Sequence, residues 1–461
     1  MRWRRRWLYA GTAVAAAYAA ACLVLTLRSR QPSFTEAEMS RAVKLPRGFL
    51  WGTATSAHQV EGGNTRNDWA AFEALPGRIA RGERSGMAVD HWRRVAQDIA
   101  LMKSLGANSY RLSIEWSRLE PEDGRWDEAA WEHYADELRQ LRAAGIEPMV
   151  TLLHFTLPRW LAERGGVVSP EFPARFARFA AEAARRLGDG VDLWCTLNEP
   201  NVQMYLGYLE GVWPPGRRSP QEAVAAFAGM LRGHAAAARA VRDHDHQAQV
   251  GVVVNMVVFD PASRWLLTDW LAAREADQAF NWAFLDSIAT GRMRLSASGL
   301  PELDEPLPAL SGSVDFVGVN YYRRELVRFS PWAVGLVRLG PGPGPGSDLG
   351  WEVHPEGLLR LLREAWIRYG LPLYVTENGI ADAHGSLRGR FLRAHALALE
   401  RAAAQGIPVR GYYHWSLLDN FEWAEGFAPR FGLYRVEYPS LERRLAAGAE
   451  EFRSIAAGLE R

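Results

Sequence analysis

The sequence predicts a (β/α)8 barrel of the α/β class, and three observations predict it. Short apolar runs alternate with longer Ala/Arg/Leu-rich stretches, and there are eight such runs. Polar, acidic and aromatic residues gather just past the C-terminal ends of those runs. The rival fold, a doubly wound sheet, wants a glycine-rich phosphate turn after its first strand. Trp51-Gly52-Thr53-Ala54-Thr55 offers none.

In order, the strands fall at residues 49–53, 109–114, 148–153, 193–198, 250–254, 316–320, 373–376 and 409–415. Helical stretches between them include 90–105, 129–144, 173–187, 220–243, 355–369 and 389–405. No short-period repeat and no long polar linker interrupts this alternation, so residues 45–461 read as one domain.

Ahead of it, Arg2, Arg4, Arg5 and Arg6 precede 21 uncharged residues, Trp7 to Leu27, closed by Arg28 and Arg30. As a helix this stretch is about 32 Å long, enough for a hydrocarbon core of about 30 Å. The expectation is an N-terminal transmembrane helix within residues 1–30, a linker over 31–44, and a single-pass protein whose domain faces outward. Two alternatives stay open: a signal peptide cleaved near Ala19 to Ala21, giving a secreted protein, or translation from Met39, giving a cytoplasmic one.

Composition excludes several classes. The 54 Lys and Arg nearly cancel the 53 Asp and Glu, so a nucleic-acid partner is not expected. Two cysteines exclude a disulfide framework or a cysteine-rich zinc site; Cys22 and Cys195 read as small buried hydrophobes. Asp243-His244-Asp245-His246 has metal-like residue types but sits at a helix end among polar neighbours, where a solvated terminus suffices. No metal or cofactor is expected. Oligomeric state is open, and the Gly/Pro run over 340–346 is either a rim of the mouth or a plain loop.

Two runs share one grammar. Trp194-Cys195-Thr196-Leu197-Asn198-Glu199-Pro200 is an apolar strand that delivers a glutamate where proline ends the ladder. Leu373-Tyr374-Val375-Thr376-Glu377-Asn378-Gly379 repeats it. In a parallel barrel both carboxyls face one mouth. Two carboxyls across one pocket are the apparatus of glycoside hydrolysis, and a separation of about 5–5.5 Å predicts retention of configuration. Other strand ends carry Gln59, Arg111, His154, Asn320-Tyr321-Tyr322, Trp415 and the Asn420-Phe421-Glu422-Trp423 segment.

This constellation resembles the family 1 glycoside hydrolases, retaining β-glucosidases and β-galactosidases, over residues 45–438. The resemblance implies Glu199 as general acid/base and Glu377 as nucleophile. It implies that Asn198 holds the sugar 2-hydroxyl, and that Arg111 and Tyr322 hold the nucleophile. Gln59, His154, Asn198, Asn320, Tyr322, Glu422 and Trp423 fall on glycone-side positions, with Trp415 as the aromatic floor. His154-Phe155-Thr156-Leu157-Pro158 and Asn201 depart from the commoner His-Trp-Asp-Leu-Pro and Glu-Pro-Trp. The expected substrate is a small β-glycoside; a transglycosidase and a non-catalytic sugar-binding barrel are the rivals.

Overall fold

The computed structural model describes residues 16–27 and 33–459. Its centre is a closed ring of eight parallel strands: β1 (Leu50–Ala54), β2 (Ser109–Ser113), β3 (Glu147–Leu153), β4 (Leu193–Asn198), β5 (Gln249–Pro261), β6 (Phe316–Phe329), β7 (Leu373–Asn378) and β8 (Val409–Trp415). Each strand pairs with the next, and β8 closes on β1 from Leu50 opposite Gly411 to Ala54 opposite Trp415. Helices His91–Ser104, Glu128–Ala143, Phe172–Leu187, Pro220–His244, Pro355–Tyr369 and Arg388–Ala404 lie where the spacing predicts them. Their starts follow from local chemistry. Asp127 and Ser219 accept the N–H groups of Ala130 and Glu222, and proline occupies the first turn of three of them.

Period-two alternation sorts the strand residues between two cores. Met149, Cys195, Phe316, Tyr374 and Tyr413 fill the barrel's interior, while Val150, Trp194, Val252 and Val375 pack outward under the helices. Both cysteines are buried and free. The filled interior makes the barrel a solid plug, so polar chemistry is confined to the strand ends.

Alternation breaks in two places, and both matter. The β4–β5 register shifts between Cys195 and Asn198, and the β6–β7 register shifts between Val375 and Glu377. With Cys195 and Tyr374 facing inward, strict alternation would turn Asn198 and Glu377 toward the helices. An irregularity of one residue re-aims each side chain into the barrel mouth, a common use of bulges.

β5 and β6 run past the expected ends, to Pro261 and Phe329, and Val337–Pro341 pairs antiparallel with β6. This raised sheet forms one wall above the mouth. The Gly/Pro run beside it is tied down: Glu352 accepts the Gly344 N–H at 2.7 Å and is gripped by Arg324 through two bonds of 2.7 Å. At the other end, Asp245 closes a turn by accepting N–H from Gln247 and Ala248.

The membrane expectation is corrected. Among the described residues no helix is long and apolar enough to cross a membrane. Within the Trp7–Leu27 run, the described residues 16–27 are helical. Tyr18 hydroxyl donates to the Trp265 carbonyl at 2.8 Å and accepts the Leu267 N–H at 3.1 Å, so this helix is bonded to the barrel domain. The transmembrane helix and the single-pass membrane location built on it are therefore not upheld; residues 1–15 and 28–32 lie outside the described residues.

Gly379, directly after β7, has no room for a side chain, because a Cβ there would collide with the Trp415 carbonyl of β8. Gly379→Ala is expected to destabilise the protein by about 1–3 kcal/mol, the usual cost of overpacking. Denaturant unfolding measures it, and a midpoint equal to the parent's would contradict this close approach.

Candidate active site

Arg111 rises from β2 at the top of the packed interior and is 1% exposed. Its guanidinium joins two strands. Nη1 donates to Glu377 Oε1 at 2.5 Å, and Nη2 donates to Asn198 Oδ1 at 2.7 Å. Tyr322 hydroxyl donates to the other Glu377 oxygen at 2.7 Å. Both Glu377 oxygens thus receive donors, one of them charged.

Glu199 stands in a different field. Asn255 and Asn320 amides donate to its Oε1 at 2.8 and 2.7 Å, and no cation bonds to it among the described residues. Burial, with the nearby Glu377 charge adding to it, pushes the Glu199 carboxyl up to about 8; the two amides oppose the shift. Glu199 is therefore held protonated at neutral pH, beside a carboxyl that is paired with a cation. The Glu199 backbone has φ 46° and ψ 57°, a left-handed conformation costing about 1–3 kcal/mol for a non-glycine residue. That turn lifts the carboxyl out of β4 and starts the helix Pro200–Met204.

The remaining predicted residues divide into cavity wall and backing. A cavity of about 660 Å³ is lined by His154, Glu199, Tyr322, Glu377, Trp415, Glu422 and Trp423 among others. Arg111, Asn198, Asn320 and Gln59 stand behind it, each buried. Asn198 Oδ1 accepts from both Arg111 and Asn320, which leaves its Nδ2 as the free donor; that group meets His154 Nε2 at 3.1 Å. Burial first, then Arg111, hold the His154 imidazole well below its usual range, so it is neutral and can accept this bond. Gln59 donates to Asn420 Oδ1 and the Phe421 carbonyl at 3.0 and 2.8 Å, fixing the loop that carries Glu422. Glu422 accepts the Trp415 indole N–H at 3.1 Å, and burial pushes its carboxyl up to about 8. His154 stacks between Trp415 and Trp423, with ring centres 5.9 and 6.2 Å away.

A protonated carboxyl and a second one paired with a cation, in one cavity walled by indoles and by hydroxyl-binding groups, can protonate a glycosidic oxygen and present a nucleophile to the sugar carbon. The comparisons agree. The model of Glycosyl hydrolase family 1 matches residues 41–459. The chain belongs to glycosyl hydrolase family 1. As a family 1 protein it is a glycoside hydrolase, and its activity is that of a retaining β-glycosidase. Beta-glucosidase A of Thermotoga maritima is 36% identical over 423 residues, covering 87% of this chain and 95% of that protein. A beta-galactosidase of Pyrococcus woesei is 34% identical, covering 86% and 94%. Among solved structures, a beta-glycosidase from Pyrococcus horikoshii superposes with TM-score 0.83 at 40% identity, covering 91% of this chain and 96% of that one. The Thermotoga maritima beta-glucosidase in complex with deoxynojirimycin has TM-score 0.84 at 34% identity, covering 90% and 99%.

The departures from the commoner motifs have structural uses in this family 1 chain. Phe155, at φ 70°, packs edge-on against Trp213 and Trp423. Thr156 hydroxyl donates to the buried Glu115 at 3.0 Å. Asn201 amide donates to the carbonyls of Asn255 and Phe280 at 2.8 and 3.0 Å, tying the middle of β5 to the helical turn that carries Phe280.

Two residues escaped the sequence reading. Asn255 follows the Val250–Val254 run as a polar residue past an apolar strand, the same signal that marks Asn320, but the run predicts a strand that stops just before it. Thr376 looked like ordinary strand; its hydroxyl donates to Asn320 Oδ1 at 2.7 Å, which forces the Asn320 amide nitrogen toward Glu199. Thr376→Val keeps the shape and removes that donor. It is expected to lower kcat/KM by about tenfold, or about 1.4 kcal/mol, the worth of one buried hydrogen bond. Parent-like kinetics from this variant would mean the amide is oriented by something else.

Proposed function

We propose that this chain is an exo-acting β-glucosidase-like enzyme that removes one sugar from small β-glycosides by double displacement. The observation that carries the reading is the split between the two carboxyls. Glu377 is met by Arg111 and Tyr322, whereas Glu199 is met by neutral amides and keeps its proton.

In this reading Glu377 attacks the anomeric carbon while Glu199 gives its proton to the departing oxygen. The bond to the aglycone breaks, and a glycosyl ester forms on Glu377. Its negative charge is then gone, so Glu199, now ionised, is no longer beside a carboxylate and serves as base. It takes a proton from water, the water oxygen bonds to the anomeric carbon, and the Glu377 carboxylate leaves. Two inversions give net retention. Asn198 Nδ2 is the donor available for the 2-hydroxyl. His154, Glu422 and Trp423 are the groups for the other hydroxyls, over the Trp415 face, with Gln59 and Asn320 holding their neighbours in place. The names of several relatives, beta-glucosidase among them, support a gluco-configured sugar.

Two expectations follow for the carboxyls. Glu377→Gly removes the attacking group and is expected to abolish turnover, and added azide is expected to restore it with an α-glycosyl azide as product. Glu199→Ala is expected to slow poor leaving groups by about 10²–10⁴ while activated aryl glycosides still form the ester. Near-parental rates without azide, or equal losses on good and poor leaving groups, would refute the respective role.

The third concerns pH. Glu199 must be protonated to act, so kcat/KM is expected to fall on the alkaline side with a midpoint near 8. Asn255 favours the charged form of Glu199, so Asn255→Leu is expected to move that limb to higher pH. A limb that stays in place in this variant would show that Glu199 does not set it.

A further inference from the structure

The backbone of β4 leaves the sheet at Pro200, but its hydrogen bonding to β5 continues. At the strand's end the Glu199 N–H donates to the Val253 carbonyl at 2.8 Å. In a parallel ladder the next donor on that edge would be the N–H of residue 201, and the next acceptor the Asn255 carbonyl. Pro200 instead opens the helix Pro200–Met204, which takes the backbone of residue 201 out of the ladder. The buried Asn201 side chain stands in for it, with Nδ2 donating to the Asn255 carbonyl at 2.8 Å.

The same Nδ2 donates to the Phe280 carbonyl at 3.0 Å, in the π-helical turn Gln278–Trp282. Both partners only accept, so the amide can sit one way round. The indole of the commoner Glu-Pro-Trp has a single N–H and could not serve both carbonyls in this way. From the same turn Asn281 grips Val257, accepting its N–H at 2.9 Å and donating to its carbonyl at 2.8 Å. β5 is thus pinned at Asn255 and Val257, beside the register shift between Met256 and Val258. Asn255 is where that matters. Its amide donates to Glu199 Oε1, and it lies opposite Asn320, which donates to the same oxygen.

We infer that Asn201 is a positioning residue: its side chain extends the β4–β5 ladder so that the Asn255 amide is held on the Glu199 carboxyl. The inference rests on the acid/base reading of Glu199 above and deepens it. The other titratable and charged groups facing Glu199 are Glu377 on β7, Arg111 on β2 and Tyr322 on β6. His154, Tyr205, Arg323 and Glu422 line the same cavity. Asn201 bonds to backbone carbonyls rather than to any of these, so a change there reaches Glu199 through Asn255.

The test is the alkaline limb of kcat/KM for phenyl β-glucoside, a poor leaving group, in Asn201→Leu, Asn255→Leu and the double variant. The midpoint of a limb does not depend on the fraction of active enzyme. A displaced Asn255 amide no longer favours the ionised Glu199, so the limb moves to higher pH. Asn201→Leu is expected to move it by about 0.5 pH unit or more, part of the worth of one hydrogen bond to a charged group. The double variant is expected to fall where Asn255→Leu alone falls, because both changes act through one bond. Asn201→Ala gives the same reading should the leucine variant not fold. A parental limb in the Asn201 variants while Asn255→Leu is displaced, or shifts that add in the double variant, would overturn the inference and leave the reading of Glu199 standing. An unmoved limb in Asn255→Leu would overturn both.

Discussion

A guanidinium sealed at the top of a packed barrel is costly, and the arrangement of the mouth follows from how Arg111 is accommodated. Removing such a charge from water costs several kcal/mol, which only close, well-aligned partners offset. Arg111 finds them on two other strands, Glu377 on β7 and Asn198 on β4. The same bonds fix the position of the one and the amide orientation of the other. Asn320 then reads that orientation, meeting Asn198 Oδ1 and Glu199 Oε1 together, with Thr376 holding its far side. Of two chemically identical carboxyls, one is thus paired with the cation and the other is left to burial and neutral amides.

Backbone irregularity does the aiming. Asn198 and Glu377 sit at shifts in strand register, and Glu199, Phe155 and Trp423 adopt left-handed conformations in the loops just above. Each departs from what its residue type prefers. A rigid plug of aromatic and aliphatic side chains beneath them, Met149, Phe316, Tyr374 and Tyr413, supplies the support that such strain requires. Packing below and strain above are complementary halves of one device.

The barrel was legible because strand and helix periods are local properties of the sequence, and β4, β7 and β8 in particular are framed by apolar residues and sharp stops. The glutamates were legible because each ends an apolar run at a turn signal. What alternation cannot reveal is a shift in register, so the rule that found the strands would have turned Asn198 and Glu377 away from the pocket. Asn255 carried the same strand-end signal as Asn320 but fell one position past the presumed end of β5. The raised sheet beyond β5 and β6 escaped notice because its pairing is long-range, joining Val327 to Leu339 and Pro261. The N-terminal run was over-read for a related reason. Hydropathy scores a residue's composition, not its neighbours, and Tyr18 finds its partners 247 and 249 residues away on the barrel.

The central claim is that Arg111 and Tyr322 make Glu377, not Glu199, the group that bonds to the sugar. The most direct measurement is to trap the intermediate with an activated 2-deoxy-2-fluoro-β-glucoside and map the modified peptide by mass spectrometry. The account predicts one sugar per chain, attached through an ester to Glu377. A label on Glu199, or on no carboxyl while turnover continues, would contradict it.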